Sequence, residues 1–340
     1  MREFIITKND SGQRLNKFLE KAVPLLPGGM MHKYIRLKRI KVNRKRTEVS
    51  YRLQEGDLVQ LYINDEFLEK AEEDTAYLRA KPELDVLYED EHILLVNKAP
   101  GVVVHADDSG TADTLIARIQ AYLFRSGAWN PEDEASFTPA LCNRIDRGTG
   151  GIVIAAKTAE ALRVMNQKIR DRELHKTYLC AACGTIRPKQ GEITGYILRH
   201  TDEHRVSVHR TQVKGSRTAV TKYRVLRETE ELSLVECELI TGRTHQIRAH
   251  FAWIGHPLLG DSKYGRNDMN RKYHRKTQCL CSYKLRFDFT TDAESLGYLN
   301  GLTVTVPDVE FTVLFPETPS DGARPGRGRR KERGHGRQRR

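Results

Sequence analysis

Residues 143–158, Asn-Arg-Ile-Asp-Arg-Gly-Thr-Gly-Gly followed by Ile-Val-Ile-Ala-Ala-Lys-Thr, constrain this chain more than any other stretch. A glycine turn runs straight into Ile152-Val153-Ile154-Ala155-Ala156, an apolar run with the length and branching of a buried strand. Just ahead of it one carboxylate, Asp146, stands between two guanidinium groups, Arg144 and Arg147. Neighbouring arginines favour the ionised form of a carboxylate, which suits a nucleophile or charge stabiliser better than a general acid. The same residues suit an Arg-Asp-Arg surface network at a hairpin turn, since ion pairs also collect at turns. Spacing alone leaves both readings open.

At 340 residues the chain can bury one sizeable core and add a small module. No apolar run approaches the ~20 residues that span a membrane, and Met1 to Lys8 lacks the apolar core of a secretory signal. Six cysteines at uneven spacing read as reduced thiols, so a cytoplasmic location is expected. Cys180-Ala181-Ala182-Cys183 has the spacing of half a zinc site. Cys279-Leu280-Cys281 makes a poor second half, and zinc is not expected. The net charge of +12 is uneven: residues 1–65 hold fourteen Lys/Arg against seven Asp/Glu, and 321–340 hold nine against two. Each end is therefore +7 and the middle −2, as expected of ends that grip a polyanion around a more selective centre.

Residues 12–63 read as a compact module. Leu15, Phe18, Leu19 and Ala22 give a helix from Arg14 to Ala22 one apolar face. A second short helix holds Met31, Tyr34 and Ile35, Ile40 to Asn43 form a strand, and Val59, Leu61 and Ile63 line a closing one. From Lys33 to Arg46 there are eight basic residues and no acidic one: Lys33, Arg36, Lys38, Arg39, Lys41, Arg44, Lys45 and Arg46. They are the expected RNA contacts as a group. Residues 65–83, with Asp65, Glu66, Glu69, Glu72, Glu73 and Asp74, read as an acidic linker, and the large domain starts at 84. Helices are expected over Thr114–Phe124, Glu160–Arg170 and Gln246–Ile254, the last with Thr244 as N-cap. Strands are expected at Val86–Tyr88, Ile93–Lys98, Lys176–Ala182, Thr218–Leu226, Leu232–Ile240, Tyr283–Phe289 and Leu302–Val306. Turns and a basic, His-containing stretch are expected over 184–215. The domain closes at 318, and the Gly/Arg/Pro tail 319–340 is expected to add charge and no fold.

Residues 143–158 resemble the catalytic motif of the RluA-type ribosomal large-subunit pseudouridine synthases, H-R-L-D-x-x-T-S-G-L-L-x-x-A-K. The family's catalytic Asp maps onto Asp146. His175 to Cys180 resembles the segment with the family's active-site Tyr, here Tyr178, and Leu239 to Gly265 resembles the block whose inner Arg is Arg248. Three ordered motifs over about 120 residues carry the likeness. Residues 86–115 resemble the opening of the family's catalytic domain, including its N-K-x-x-G turn. The segment Arg14–Ile63 resembles the alpha-L RNA-binding module that many such enzymes have at this end. The implied fold is α+β: a small helix-rich RNA-binding module (1–64), then a mixed, mainly antiparallel-sheet catalytic domain (84–318).

The resemblance implies isomerisation of uridine, with Asp146 attacking the ribose or assisting glycal formation. Arg248 would pair with Asp146, and Tyr178 would stack on an extruded base and help move a proton. Arg144 and Arg147 join the expected RNA contacts. A hydrolysing glycosidase would want a second carboxylate; this motif offers arginines. No cofactor and no metal are called for, and His245, His250 and His256 read as scaffold. Asp261 and Tyr264 read as structural or RNA-proximal. The expected partner is ribosomal RNA, or transfer RNA, bound by a monomer that stays off membranes. Asn143 replaces the family's His and Gly150 its Ser. A binding or assembly factor without activity on the same fold is the competing reading.

Overall fold

The computed structural model describes residues 1–68, 76–105, 111 and 113–316. Near the N-terminus, β1 (Arg2–Ile5), α1 (Leu15–Ala22), α2 (Gly28–Arg36), β2 (Ile40–Val42), β3 (Lys45–Arg46) and β4 (Leu58–Leu61) follow in order. The four strands form an antiparallel sheet in the order β1-β4-β2-β3. Leu15, Phe18 and Leu19 of α1 and Met31, Tyr34 and Ile35 of α2 close its core against Ile40, Val59 and Leu61. The β2–β3 turn holds Asn43 and Arg44 at φ 50° and 65°, the left-handed pair a two-residue hairpin of matching twist requires. Asn43 pins that turn with its own side chain, donating to Asp57 and accepting from the Leu58 amide.

The acidic segment divides between its neighbours. Phe67 and Leu68 pack on the N-terminal core, while α3 (Ala76–Arg79) sends Tyr77 against Phe124 and Trp129. Glu69, Glu72, Glu73 and Asp74 lie outside the described residues, as does the 319–340 tail.

The remaining elements are β5 (Val86–Glu89), β6 (Ile93–Lys98), α4 (Leu115–Arg125), β7 (Ala140–Leu141), β8 (Gly150–Ala156), α5 (Ala159–Arg170), β9 (Leu174–Cys183), β10 (Gln190–His200), β11 (Arg205–His209), β12 (Arg217–Glu228), β13 (Leu232–Leu239), α6 (Gln246–Trp253), α7 (Asn267–Lys272), β14 (Leu280–Phe287) and β15 (Thr303–Thr305). They build an 11-stranded sheet whose path is β11-β10-β12-β13-β9-β14-β8-β6-β5, with β7 on β8 and β15 on β14. Every pairing is antiparallel except β14 with β8. The fold is thus α+β with a mainly antiparallel sheet.

Strand β8 explains its apolar run. Ile152, Ile154 and Ala156 face the core shared with α5, whereas Val153 and Ala155 face the core shared with α4. Both faces are buried, so no polar alternation survives. Further along the sheet, Ile247 and Phe251 of α6 pack on Cys180, Ala182, Val235 and Cys237.

Two expectations fail here. Residues 184–215 contain the long strands β10 and β11, not only turns. Gly195 sits at a buried position inside β10, where a Cβ would come within 2.8 Å of the Val208 side chain. Close packing, rather than a turn, needs that glycine. Thr244 does not cap α6. The N-cap is His245 in the left-handed region (φ 53°), and Gln246 folds back so that its Oε1 accepts from the Arg243 amide and the Thr241 hydroxyl.

Candidate active site

The loop between β7 and β8 is held from three sides. Cys142 and Asn143 reach across to β8: the Cys142 amide donates to Ile154, and Asn143 Oδ1 accepts from the Ile154 amide at 2.8 Å. The Asn that departs from the family's His is therefore a backbone clamp. At Gly150 a Cβ would come within 3.3 Å of the Pro100 ring and 3.4 Å of the Lys98 carbonyl, so a serine there would need Pro100 to give by a few tenths of an ångström. Gly151 lies at φ 108° where β8 meets β14, and a Cβ would stand 2.3 Å from the Ser282 carbonyl oxygen. Only glycine lets the parallel seam close.

From below, Lys98 secures the same loop. Its ammonium, buried to 1 % exposure, donates to the carbonyls of Ala99, Val102 and Arg147, each at 3.0 Å. Burial pushes its pKa down to about 8, against the pull of Asp146. The sequence signal for this staple is a lysine ending an otherwise apolar strand.

Above the loop stands the first turn of α6. Arg248, 4 % exposed, donates from Nε and Nη2 to both oxygens of Asp261 (2.7 and 2.9 Å) and from Nη1 to Asp146 Oδ2 at 2.8 Å. Asp261 is buried and also accepts the amides of Lys263 and Tyr264. Burial works against its charge, but the hydrogen bonds from Arg248 prevail and hold its pKa low. The bidentate pair fixes the guanidinium plane, so its remaining nitrogen points at Asp146. Tyr264 lies between two guanidiniums, with Arg248 and Arg205 each 5.3 Å from its ring centre.

His245 completes this wall. Its Nδ1 meets the Tyr264 hydroxyl at 2.9 Å, and its Nε2 stands 3.7 Å from Asp146 Oδ2. Burial pulls its pKa down to about 4, so the imidazole is neutral near pH 7 and this contact is polar rather than ionic. The Tyr264 hydroxyl accepts from the Val206 amide.

Tyr178, on β9, is 7 % exposed and lines the same cleft of about 990 Å³ as Asp146, His245 and Arg248. Burial pushes its phenol up to about 12, with a further upward push from Asp146. Arg144 lines this cleft as well, exposed. Arg147 turns away and donates to the Gly101 carbonyl. The guanidinium on Asp146 is thus the one 102 positions along the chain, not its sequence neighbours.

Of the eight basic residues from Lys33 to Arg46, seven are exposed and Lys41 is half-buried. Arg39 lies over the Tyr34 ring and Lys41 over the Tyr62 ring. Among the described residues no carboxylate pairs with any of the eight. The cysteine pairs considered for zinc stay free thiols, and no described group of three or more His, Cys, Asp or Glu is placed to hold a metal.

Comparison with known proteins agrees with the motifs. The family described as RNA pseudouridylate synthase matches residues 92–253. A ribosomal large subunit pseudouridine synthase C of Vibrio parahaemolyticus is 32% identical over 76% of this chain and 79% of its own length. The protein of that name from Escherichia coli K12 is 30% identical over 78% and 81%. An uncharacterised RNA pseudouridine synthase of Bacillus subtilis is 34% identical over 77% and 82%. In fold, the chain is similar to the human RNA Pseudouridylate Synthase Domain Containing 1, with TM-score 0.54 and 24% identity over 68% of this chain and 86% of that one. Motifs, fold and relatives agree, and the chain belongs to the RluA-type RNA pseudouridylate synthase family.

Proposed function

We propose that this enzyme converts one or a few uridines of large-subunit ribosomal RNA to pseudouridine, with Asp146, Tyr178 and Arg248 as its catalytic set. The observation that carries the reading is the 2.8 Å contact from Arg248 to Asp146 inside a cleft that Tyr178 also lines. The target is supported by the relatives named ribosomal large subunit pseudouridine synthase C.

The chemistry needs few groups. The Asp146 carboxylate acts on the ribose of an extruded uridine, attacking C1′ or drawing the 2′ proton to give a glycal. The N1–C1′ bond breaks, the uracil turns, and C5 bonds to C1′, which displaces the Asp146 carboxylate on the first route and is matched by return of its proton to C2′ on the second. Solvent then takes the C5 proton while N1 gains one, so the reaction is an isomerisation with no net change in protons. Arg248 faces the carboxylate through each step and is itself steadied by Asp261. Tyr178 keeps its proton across the neutral range, which supports stacking under the base over service as a base. Extrusion costs roughly a few kcal/mol and least in unpaired loops, so structured single-stranded segments are the expected targets. Residues 1–64 form the RNA-binding module, and their unpaired cations hold phosphates beyond the target. The enzyme works as a monomer in the cytoplasm.

Pseudouridine mapping of ribosomal and transfer RNA, with the protein, without it and with Asp146→Ala, tests this. The expected result is loss at one or a few large-subunit uridines in both defective strains, while the variant still binds RNA. Loss confined to transfer RNA overturns the target, and unchanged maps overturn the activity.

A further inference from the structure

Most buried or half-buried lysines in this chain have their charge answered. Lys98 meets three carbonyls, Lys168 meets Glu173 and Thr291, and Lys157 meets Glu89 and the Asp90 carbonyl. Lys176 differs. It is half-buried and lines the catalytic cleft, yet among the described residues its ammonium has no hydrogen-bond or ion-pair partner. Its titratable neighbour is the Cys142 thiol, which burial pushes up to about 12 and so keeps uncharged. Burial lowers the lysine itself to about 8, which leaves it mostly charged at neutral pH. The cleft's carboxylates are engaged elsewhere: Asp146 with Arg248, and Glu238 beside His175 at 3.6 Å.

An unanswered cation at a half-buried position is costly unless something anionic arrives. Its surroundings say what kind. Arg170, which ends α5, and Arg172 just beyond it line the same cleft, and Arg172 sits at φ 62° where the chain turns into β9. Along β9, Leu174, Lys176 and Tyr178 all line the cleft, and two strand residues span roughly 7 Å. Lys176 therefore lies about one nucleotide step from Tyr178, in a cavity far larger than one uracil fills.

We infer that Lys176, with Arg170 and Arg172, forms a phosphate-holding annex of the catalytic cleft that grips the RNA backbone beside the extruded uridine. This rests on the reading above of Asp146 and Tyr178 as the place where the uridine lands. The annex fixes which nucleotide can reach Asp146, by seating the adjoining phosphodiester.

The test uses the full chain and an unmodified transcript of large-subunit ribosomal RNA. Initial rates and equilibrium binding are measured over a salt series for wild type, K176M, K176R and R172A. For K176M the expected result is a KM raised about tenfold, kcat within about twofold, and a log–log salt slope shallower by about 0.7–0.9. K176R keeps the wild-type slope, and R172A loses part of it, which serves if K176M fails to fold. A K176M enzyme with wild-type KM and slope overturns the annex, as does a lower kcat with an unchanged slope. A transcript that wild type binds but never modifies counts against the ribosomal reading, and there the binding slopes still judge the annex.

Discussion

Arg248 divides its guanidinium between two carboxylates, and the split makes Asp261 matter as much for the chemistry as for stability. With Asp261→Asn the buried guanidinium loses the bidentate one of its two charged partners and keeps only Asp146, at an expected cost of about 3 kcal/mol in unfolding free energy. Turnover should fall about 10- to 100-fold because the nitrogen facing Asp146 is no longer held. Urea unfolding and single-turnover rates check the two effects separately, and a variant with wild-type turnover would remove Asp261 from the catalytic arrangement. His250 makes a pH prediction. It is fully buried, and burial alone drops its pKa to about 4, below the ordinary 6.5. A depressed histidine gives its full stability above pH 6.5 and loses it as pH falls toward 4, a change of about 3 kcal/mol. Unfolding midpoints between pH 7 and pH 4 should fall steeply in wild type and less in His250→Gln; parallel curves would clear His250. His245 is depressed in the same way, so the rate profile should show no limb from it between pH 5 and 8.

Among the elements, the seam between β8 and β14 is the least tolerant. Gly151→Ala places a methyl carbon 2.3 Å from the Ser282 carbonyl at a φ of 108°, and a loss of about 3 kcal/mol is expected by chemical denaturation. Lys98→Met takes the ammonium away from three carbonyls, of which those of Ala99 and Arg147 keep only a backbone amide donor. It should cost about 2 kcal/mol or more and slow turnover by loosening the Asp146 loop. Parts of this were legible in residues and parts were not. The run Ile152–Ala156 announced a buried strand because both of its faces pack on helices. Strand β10 stayed hidden because glycine occupies the inward position 195, and the outward side, Glu192, Thr194, Tyr196 and Leu198, mixes polar and apolar residues so that no clean alternation shows. The start of α6 could not be read from composition either: His245 takes the N-cap position in the left-handed region with no side-chain cap, and Gln246, the first helical residue, instead ties down the turn before the helix. For Asp146 the adjacent arginines were the obvious partners by spacing alone. Only the family motif joined Arg248 to Asp146, because proximity across 102 positions is a property of the fold.

Taken whole, the molecule joins its N-terminal sheet to the catalytic sheet by polar contacts. Asn9 donates to Glu134 and accepts from the first amide of α5, while buried Asp10 accepts from Ser136. Deleting residues 1–65 should weaken RNA binding and flatten its salt dependence, because phosphate contacts are lost. An unchanged slope would take the RNA-binding role away from that module. The position of β14 has a different consequence. It begins at Leu280 yet lies between β8 and β9, so the latest of the long strands to leave the ribosome is the one that locks the earlier ones together. Until it arrives, Asp146 and Tyr178 belong to two sheet fragments without a common backbone ladder. A growing chain therefore cannot join the strands that carry Asp146 and Tyr178 into one ladder until β14 has been made.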